Sequence, residues 1–340
     1  MSFLRPEPDP AAAVRQLRAW LAATDPQRLL IETSGSTGQP KRVVLTRDAV
    51  LASVRASAAR LGAQGQWLLA LPPAYVAGVQ VITRSLVAGH APLLVSDGFA
   101  GAVRRAVPGA ALFTSLVPTQ LHRLLDDAVE CAALARLHTV LLGGGPIDVD
   151  LRRRAEVAGV RVVATYGASE TAGGCVYDGV PLDGAAVALD AQGRIRLAGP
   201  MLFEGYDGDP TLTARTLVDG WYLSADAGRI DEDGHLVVLG RLDDVVISGG
   251  VNVPLPAVAA RLRAHPAVRW AEALGAPDEE WGQRVVAFVV GDLDLAAARD
   301  WVAAAHPRSW SPRQVITLSA MPLLANGKVD LAALRRLLPG

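Results

Sequence analysis

Four short segments carry residue types able to handle a charged, phosphate-bearing ligand. The first is Ser34-Gly-Ser-Thr-Gly-Gln-Pro-Lys41, directly after the apolar run Leu29-Leu-Ile-Glu-Thr33. Backbone N–H groups and hydroxyls of such a loop can turn toward a polyphosphate, with the lysine as charge partner. A flexible polar turn is the alternative; the strand-like run before the loop and the lysine closing it favour phosphate. The spacing is not that of a Walker A loop. The second segment is Tyr166-Gly-Ala-Ser-Glu-Thr171, after the apolar run that starts at Val160. Tyr166 offers a flat face to a base, Glu170 a hard oxygen to Mg²⁺ and Thr171 a hydroxyl to phosphate. A packed tyrosine and a solvated glutamate fit this hexapeptide equally well. In the third, Gly240-Arg-Leu-Asp-Asp-Val-Val-Ile-Ser-Gly-Gly250, Arg241 has the donor fork to hold a polar ligand and Asp243-Asp244 suit a hinge. A linker with a salt-bridging arginine is as good an account. The fourth, Pro322-Leu-Leu-Ala-Asn-Gly-Lys328, presents a lysine on a tight turn, which by itself reads as a solvated side chain.

These segments need elements to hold them. Short apolar runs alternate with Ala/Leu/Arg-rich stretches. Strands are expected at Trp67–Leu71, Ala110–Thr114, Thr139–Leu142 and Val160–Thr165, and helices at Ala77–Val87, Val117–Asp127 and Asp148–Ala158. Strand–helix alternation argues for a largely parallel sheet in an α/β fold. From about Ala185 the helical spacing disappears and short strands follow, such as Arg194–Leu197 and His235–Leu239, predicting a small β subdomain. The chain restarts after Leu242. Helices at Leu255–Ala264 and Leu295–Ala304 with strands at Val268–Gly275 and Arg284–Val290 predict an α+β domain. The expected domains are therefore 1–242 and 243–340.

Composition bounds the function class. The 340 residues are 51% hydrophobic and 20% charged, enough to fill a sizeable core. A net charge of −1 leaves no basic excess to drive nucleic-acid binding. The two cysteines, Cys131 and Cys175, make no disulfide framework, and the N-terminus has no apolar signal core, so a cytoplasmic setting is expected. The uncharged stretch Leu61–Thr83 is interrupted by Pro72-Pro73 and three glutamines, which argues against an integral membrane segment. No histidine pair has helix-face spacing for zinc, and no nucleophile elbow appears.

In this order and separation, from about Ile31 to Asp330, the four segments resemble the adenylate-forming acyl-CoA synthetase superfamily. The resemblance implies a large N-terminal domain and a small mobile C-terminal domain. It also implies two steps: ATP and a carboxylate give an acyl-adenylate and pyrophosphate, then the CoA thiol displaces AMP. Under it, Ser34, Ser36, Thr37, Gly38 and Lys41 take the ATP phosphates. Gly144, Gly145 and Pro146 form the adenine-side loop, and Tyr166 stacks on the base. Thr171 contacts phosphate and Glu170 holds Mg²⁺. Asp226, in Trp221-Tyr-Leu-Ser-Ala-Asp226, binds ribose with Arg241 as partner. Asp243 is the hinge, and Lys328 stabilises the adenylation transition state. Ser248, Gly249 and Gly250 belong to the CoA side, and Tyr75 to the acyl pocket, where many members place a histidine. Other departures are the roughly thirty residues before the phosphate loop, Arg42 where glycine is usual, and Ser224-Ala-Asp226 in place of T-G-D. The short N-terminus and the stretch Tyr166–Gly184 most resemble the actinobacterial branch serving menaquinone biosynthesis, which implies an aromatic keto dicarboxylate as substrate. Two alternatives stay open: an adenylation enzyme loading an aryl or amino acid onto a carrier protein in trans, and a catalytically lapsed nucleotide-binding protein. Retention of Lys41, Glu170, Asp226, Arg241 and Lys328 argues against the latter.

Overall fold

Four parallel strands, Gly65–Leu69, Ala111–Leu116, Thr139–Gly143 and Val162–Ala168, form the centre of a seven-stranded sheet. In register, Phe113 faces Thr139 and Val140 faces Val162. Alternate residues build separate cores on the two faces. Trp67, Leu69, Phe113 and Leu141 pack on one side, and Leu68, Leu112, Val140 and Leu142 on the other. The connecting helices start where the sequence signals a start. Pro118 opens Pro118–Asp126, and the Asp148 carboxylate accepts the Asp150 N–H at 2.7 Å to cap Val149–Val157. The structure, a computed structural model, describes residues 2–33, 41–324 and 327–338, with Asp243 described in its backbone alone. Ser34, Ser36, Thr37 and Gly38 therefore lie outside the described residues.

A second sheet joins Phe3–Leu4, Arg28–Thr33, Lys41–Leu45 and Gly205–Tyr206. It is mostly antiparallel, so the parallel character expected of the N-terminal half belongs to the central sheet. The β subdomain is the third sheet, built around the ten-residue strand Trp221–Ile230 with Arg194–Ala198 and Leu236–Arg241 beside it. The sequence reading passed over one helix here, Pro210–Thr216. Its cap was visible as Asp209-Pro210, and Asp209 accepts the Leu212 N–H at 2.8 Å.

After the turn Leu242–Asp244 the described strands form a fourth sheet of Val251–Pro254, Val245–Ser248, Gly282–Gly291, Val268–Asp278 and Gln314–Thr317. Helices Leu255–Arg263 and Leu295–Ala303 pack against it around their own core of Val258, Leu262, Val289 and Val302. The final helix, Leu331–Arg336, is capped by Asp330. No described helix is long and apolar enough to cross a membrane.

Candidate active site

The carboxyl ends of parallel strands are where an α/β sheet gathers ligands. Here Thr139–Gly143 runs into Gly144, Gly145 and Pro146, all exposed, and Val162–Ala168 carries Tyr166 and leads into the turn Ser169–Thr171. Tyr166 donates its hydroxyl to Oδ2 of Asp226 at 2.8 Å, tying this sheet to the β subdomain. Burial, helped by the Asp226 charge, pushes the phenol of Tyr166 well above its ordinary range. Across the strand pair, Asp226 stands opposite Arg241 in register. The Ser224 hydroxyl accepts the Asp226 N–H at 3.1 Å, and Ala225 has an ordinary negative φ. The strand that carries the carboxylate therefore makes no demand for the glycine of the usual pattern.

Lys328 reaches this same cluster from the C-terminal domain. Its segment folds as a turn in which Leu324 N–H donates to the Lys328 carbonyl at 2.8 Å. The turn docks on the N-terminal domain through a hydrogen bond from the Thr119 hydroxyl to the Gly327 carbonyl, 2.9 Å. Gly144 has φ +80°, and a Cβ there would lie 3.0 Å from Lys328 Cε, so this glycine leaves room for the lysine stem. Burial lowers the Lys328 pKa; the nearby Asp226 carboxylate works against that, and the Arg241 guanidinium adds to it. Lys328, Asp226, Arg241, Tyr166 and Gly144 thus converge from five separate stretches of chain.

Glu170 is buried, 6% exposed, and its Oε1 accepts the Tyr206 hydroxyl at 2.7 Å. Lys41, opposite Thr33 in register, has its ammonium 5.7 Å from the Tyr206 ring centroid. Arg42 pairs with Asp207 at 3.3 Å, which gives this departure from the usual glycine a structural partner. A carboxylate of this kind fits Mg²⁺, which takes hard oxygens and is held mostly by substrate phosphates and water, with one or two protein carboxylates. Thr171 closes the same turn. It is fully buried, and its hydroxyl accepts the Ala168 N–H at 2.8 Å and donates to the Gly173 carbonyl at 2.7 Å. Those bonds hold the turn that carries Glu170 and commit the hydroxyl to backbone.

Tyr75 is half-buried at the N-terminus of the helix Val76–Val87. Ser248 is buried, and Gly249-Gly250 make a two-residue hairpin turn with φ +57° and +79°, Gly249 lying against Trp281. Asp243 lies in the turn Leu242–Asp244 between the third and fourth sheets.

One group lies outside the four motifs. Gln80, Thr83 and Arg84 lie at i, i+3, i+4 on the buried face of Val76–Val87, facing Ser53 and Ser57 of the helix Arg47–Leu61 and Tyr177 of the strand Gly173–Tyr177. The spacing was the available signal. Arg84 is 7% exposed; it donates from Nη2 to the Tyr177 hydroxyl at 3.3 Å and stacks 5.0 Å from Trp67. Its Nε, Ser53 Oγ, Gln80 Oε1 and Thr83 Oγ1 are buried with no hydrogen-bond partner, and Arg84 makes no ion pair with any described carboxylate. A buried guanidinium without a counter-ion is costly.

Comparison with known proteins places this geometry. The family described as "AMP-binding enzyme" matches residues 7–206, and the "AMP-binding enzyme C-terminal domain" matches residues 257–328. The chain is 43% identical over 338 residues to the "Probable 2-succinylbenzoate–CoA ligase" of Mycobacterium tuberculosis, covering 95% of this chain and 88% of that one. It is 31% identical to the 2-succinylbenzoate–CoA ligase of Bacillus cereus, covering 91% of this chain and 69% of that one. Among solved structures it resembles o-succinylbenzoate CoA synthetase from Bacillus subtilis in complex with the acyl-adenylate intermediate OSB-AMP. The TM-score is 0.78 at 27% identity, covering 90% of this chain and 68% of that one.

Proposed function

We propose that this chain, which belongs to the AMP-binding enzyme family, is an ATP-dependent acid–CoA ligase that converts 2-succinylbenzoate to 2-succinylbenzoyl-CoA for menaquinone biosynthesis. The observation that carries the reading is the docking of Lys328 beside Asp226, Arg241, Tyr166 and Gly144. In the first half-reaction a carboxylate oxygen attacks the α-phosphorus of ATP and the bond to pyrophosphate breaks, leaving an acyl-adenylate. In the second, the CoA thiol attacks the acyl carbon, its proton is lost and AMP departs.

Both reactants of the first step are anions, so the chain must offset their repulsion. Lys328 brings an ammonium to the reacting centre, and Lys41 with the 34–38 loop takes the phosphates. Glu170 is the residue to hold Mg²⁺, which when bound neutralises phosphate charge. Tyr166 and the Gly144–Pro146 loop receive the base. Asp226 has Oδ2 occupied by Tyr166 and offers its other oxygen to ribose, with Arg241 opposite. Arg84 receives the second carboxylate of the substrate, and Gln80, Thr83 and Ser53 supply the neighbouring polar atoms.

The second half-reaction needs different groups at the same place. The 243–340 domain turns about Asp243, withdraws Lys328 and brings Ser248–Gly250 toward the incoming CoA. We place this reaction in the cytoplasm, where ATP and CoA are at hand.

The test supplies ATP, Mg²⁺, CoA and a panel of carboxylic acids, then follows pyrophosphate and thioester mass. A CoA thioester with 2-succinylbenzoate, formed well ahead of benzoate or fatty acids, is the expected result. Pyrophosphate without thioester would replace this reading by carrier loading, and no pyrophosphate with any acid would end it.

A further inference from the structure

Glu170 is fixed by a partner that lies outside every motif considered above. Tyr206, on the short strand Gly205–Tyr206, donates its hydroxyl to Glu170 Oε1 at 2.7 Å, and both side chains are buried. The ring is clamped. Phe203 meets it edge-on with centroids 5.0 Å apart, and Lys41 Nζ lies 5.7 Å from its centroid. Register explains this placement: Tyr206 pairs with Val43, and Lys41 is two residues away on the same face of that strand.

A glutamate free to rotate about its side-chain bonds loses that freedom when it ligates an ion. One whose first oxygen is already held has less to lose. We propose that Tyr206 is a positioning residue for a divalent-cation site at Glu170. Its hydroxyl holds one carboxylate oxygen so that the other is presented to a phosphate-bound Mg²⁺, while its ring seats Lys41 on the phosphate side. The proposal rests on the reading of Glu170 as the Mg²⁺ ligand. Tyr206 touches no reacting atom and acts through Glu170.

The test uses the full chain with ATP and Mn²⁺ as the probe, its binding followed by electron paramagnetic resonance. Tyr206→Phe keeps the ring and removes the hydroxyl. It is expected to raise the Kd for Mn²⁺ about 10-fold. The Mg²⁺ concentration for half-maximal pyrophosphate release should rise by the same factor, with the rate at saturating Mg²⁺ retained. Added to Glu170→Gln, the same change should do nothing further to the Kd. Full additivity in the double variant would overturn the proposal. So would an unchanged Kd in Tyr206→Phe while Glu170→Gln weakens binding, which leaves Glu170 as ligand and removes the positioning role. A Glu170→Gln chain that binds Mn²⁺ as wild type would overturn both the reading of Glu170 and the proposal.

Discussion

Lys328 is an ammonium held where water is scarce, and that sets its pH behaviour. Burial favours the neutral amine, so its pKa in the folded chain lies below the ordinary 10.5. The sign follows: the charged form carries a folding cost below the folded pKa, and this cost is relieved as pH rises toward the unfolded value. The function needs the charged form. The kcat/KM for adenylation should therefore fall on an alkaline limb centred below 10.5, and the limb should vanish in Lys328→Arg. Lys328→Ala should cut adenylation by about 10²–10³-fold, the scale of one lost charge-stabilising donor. Thioester formation from supplied acyl-adenylate should be spared; equal loss in both half-reactions would contradict the turning domain. Arg84 makes the opposite bargain with stability. Without an anion it is a buried, unpaired cation, so Arg84→Met should raise the Tm of the ligand-free protein. The same change should remove about 2–5 kcal/mol of affinity for 2-succinylbenzoate, seen as a KM at least about 30-fold higher. 4-Oxo-4-phenylbutanoate, the same skeleton with a single carboxylate, should be little affected.

At the scale of elements, the Gly143–Pro146 turn shows how backbone choice serves chemistry. Gly144 sits at φ +80° with Lys328 Cε 3.0 Å from where its Cβ would go. Gly144→Ala should strain the turn and displace the lysine stem. Single-turnover assays should show slower adenylation with the second half-reaction intact. The strands beneath this turn were legible because short apolar runs such as Thr139-Val-Leu-Leu142 end at glycine and proline, and the helices because Asp148 and Pro118 mark their starts. The strand Trp221–Ile230 was not legible. Its middle, Ser224-Ala-Asp226, borders the site, so polar residues interrupt the alternation that marks a half-buried strand. Motif spacing located Thr171 but not the direction of its hydroxyl, which depends on the carbonyls of Ala168 and Gly173 closing around it. The contacts that join Arg84, Tyr177 and Ser57 were not legible for a related reason. Each pair meets across about a hundred residues of chain or a separate helix, a separation no local pattern encodes. Tyr206 escaped likewise, since its contact with Glu170 spans two sheets.

For the whole molecule, the arrangement is two bodies joined at Leu242–Asp244, with the second resting on the first through the Lys328 turn. Thr119 donates the hydrogen bond that holds the Gly327 carbonyl. Thr119→Val removes about 0.5–1.5 kcal/mol of that docking. It should slow adenylation a few-fold while leaving thioester formation from supplied adenylate as fast as in wild type; slowing of both steps alike would show that Thr119 matters for folding instead.

The distance along the chain between pivot and lysine has a mechanical consequence. Leu242–Asp244 is a three-residue turn, whereas Lys328 rides near the far end of everything that follows it. Yet Lys328 lies beside Arg241, the residue just before that turn, so in the proposed rotation the lysine would stay close to the pivot while the far side of the domain travelled farthest.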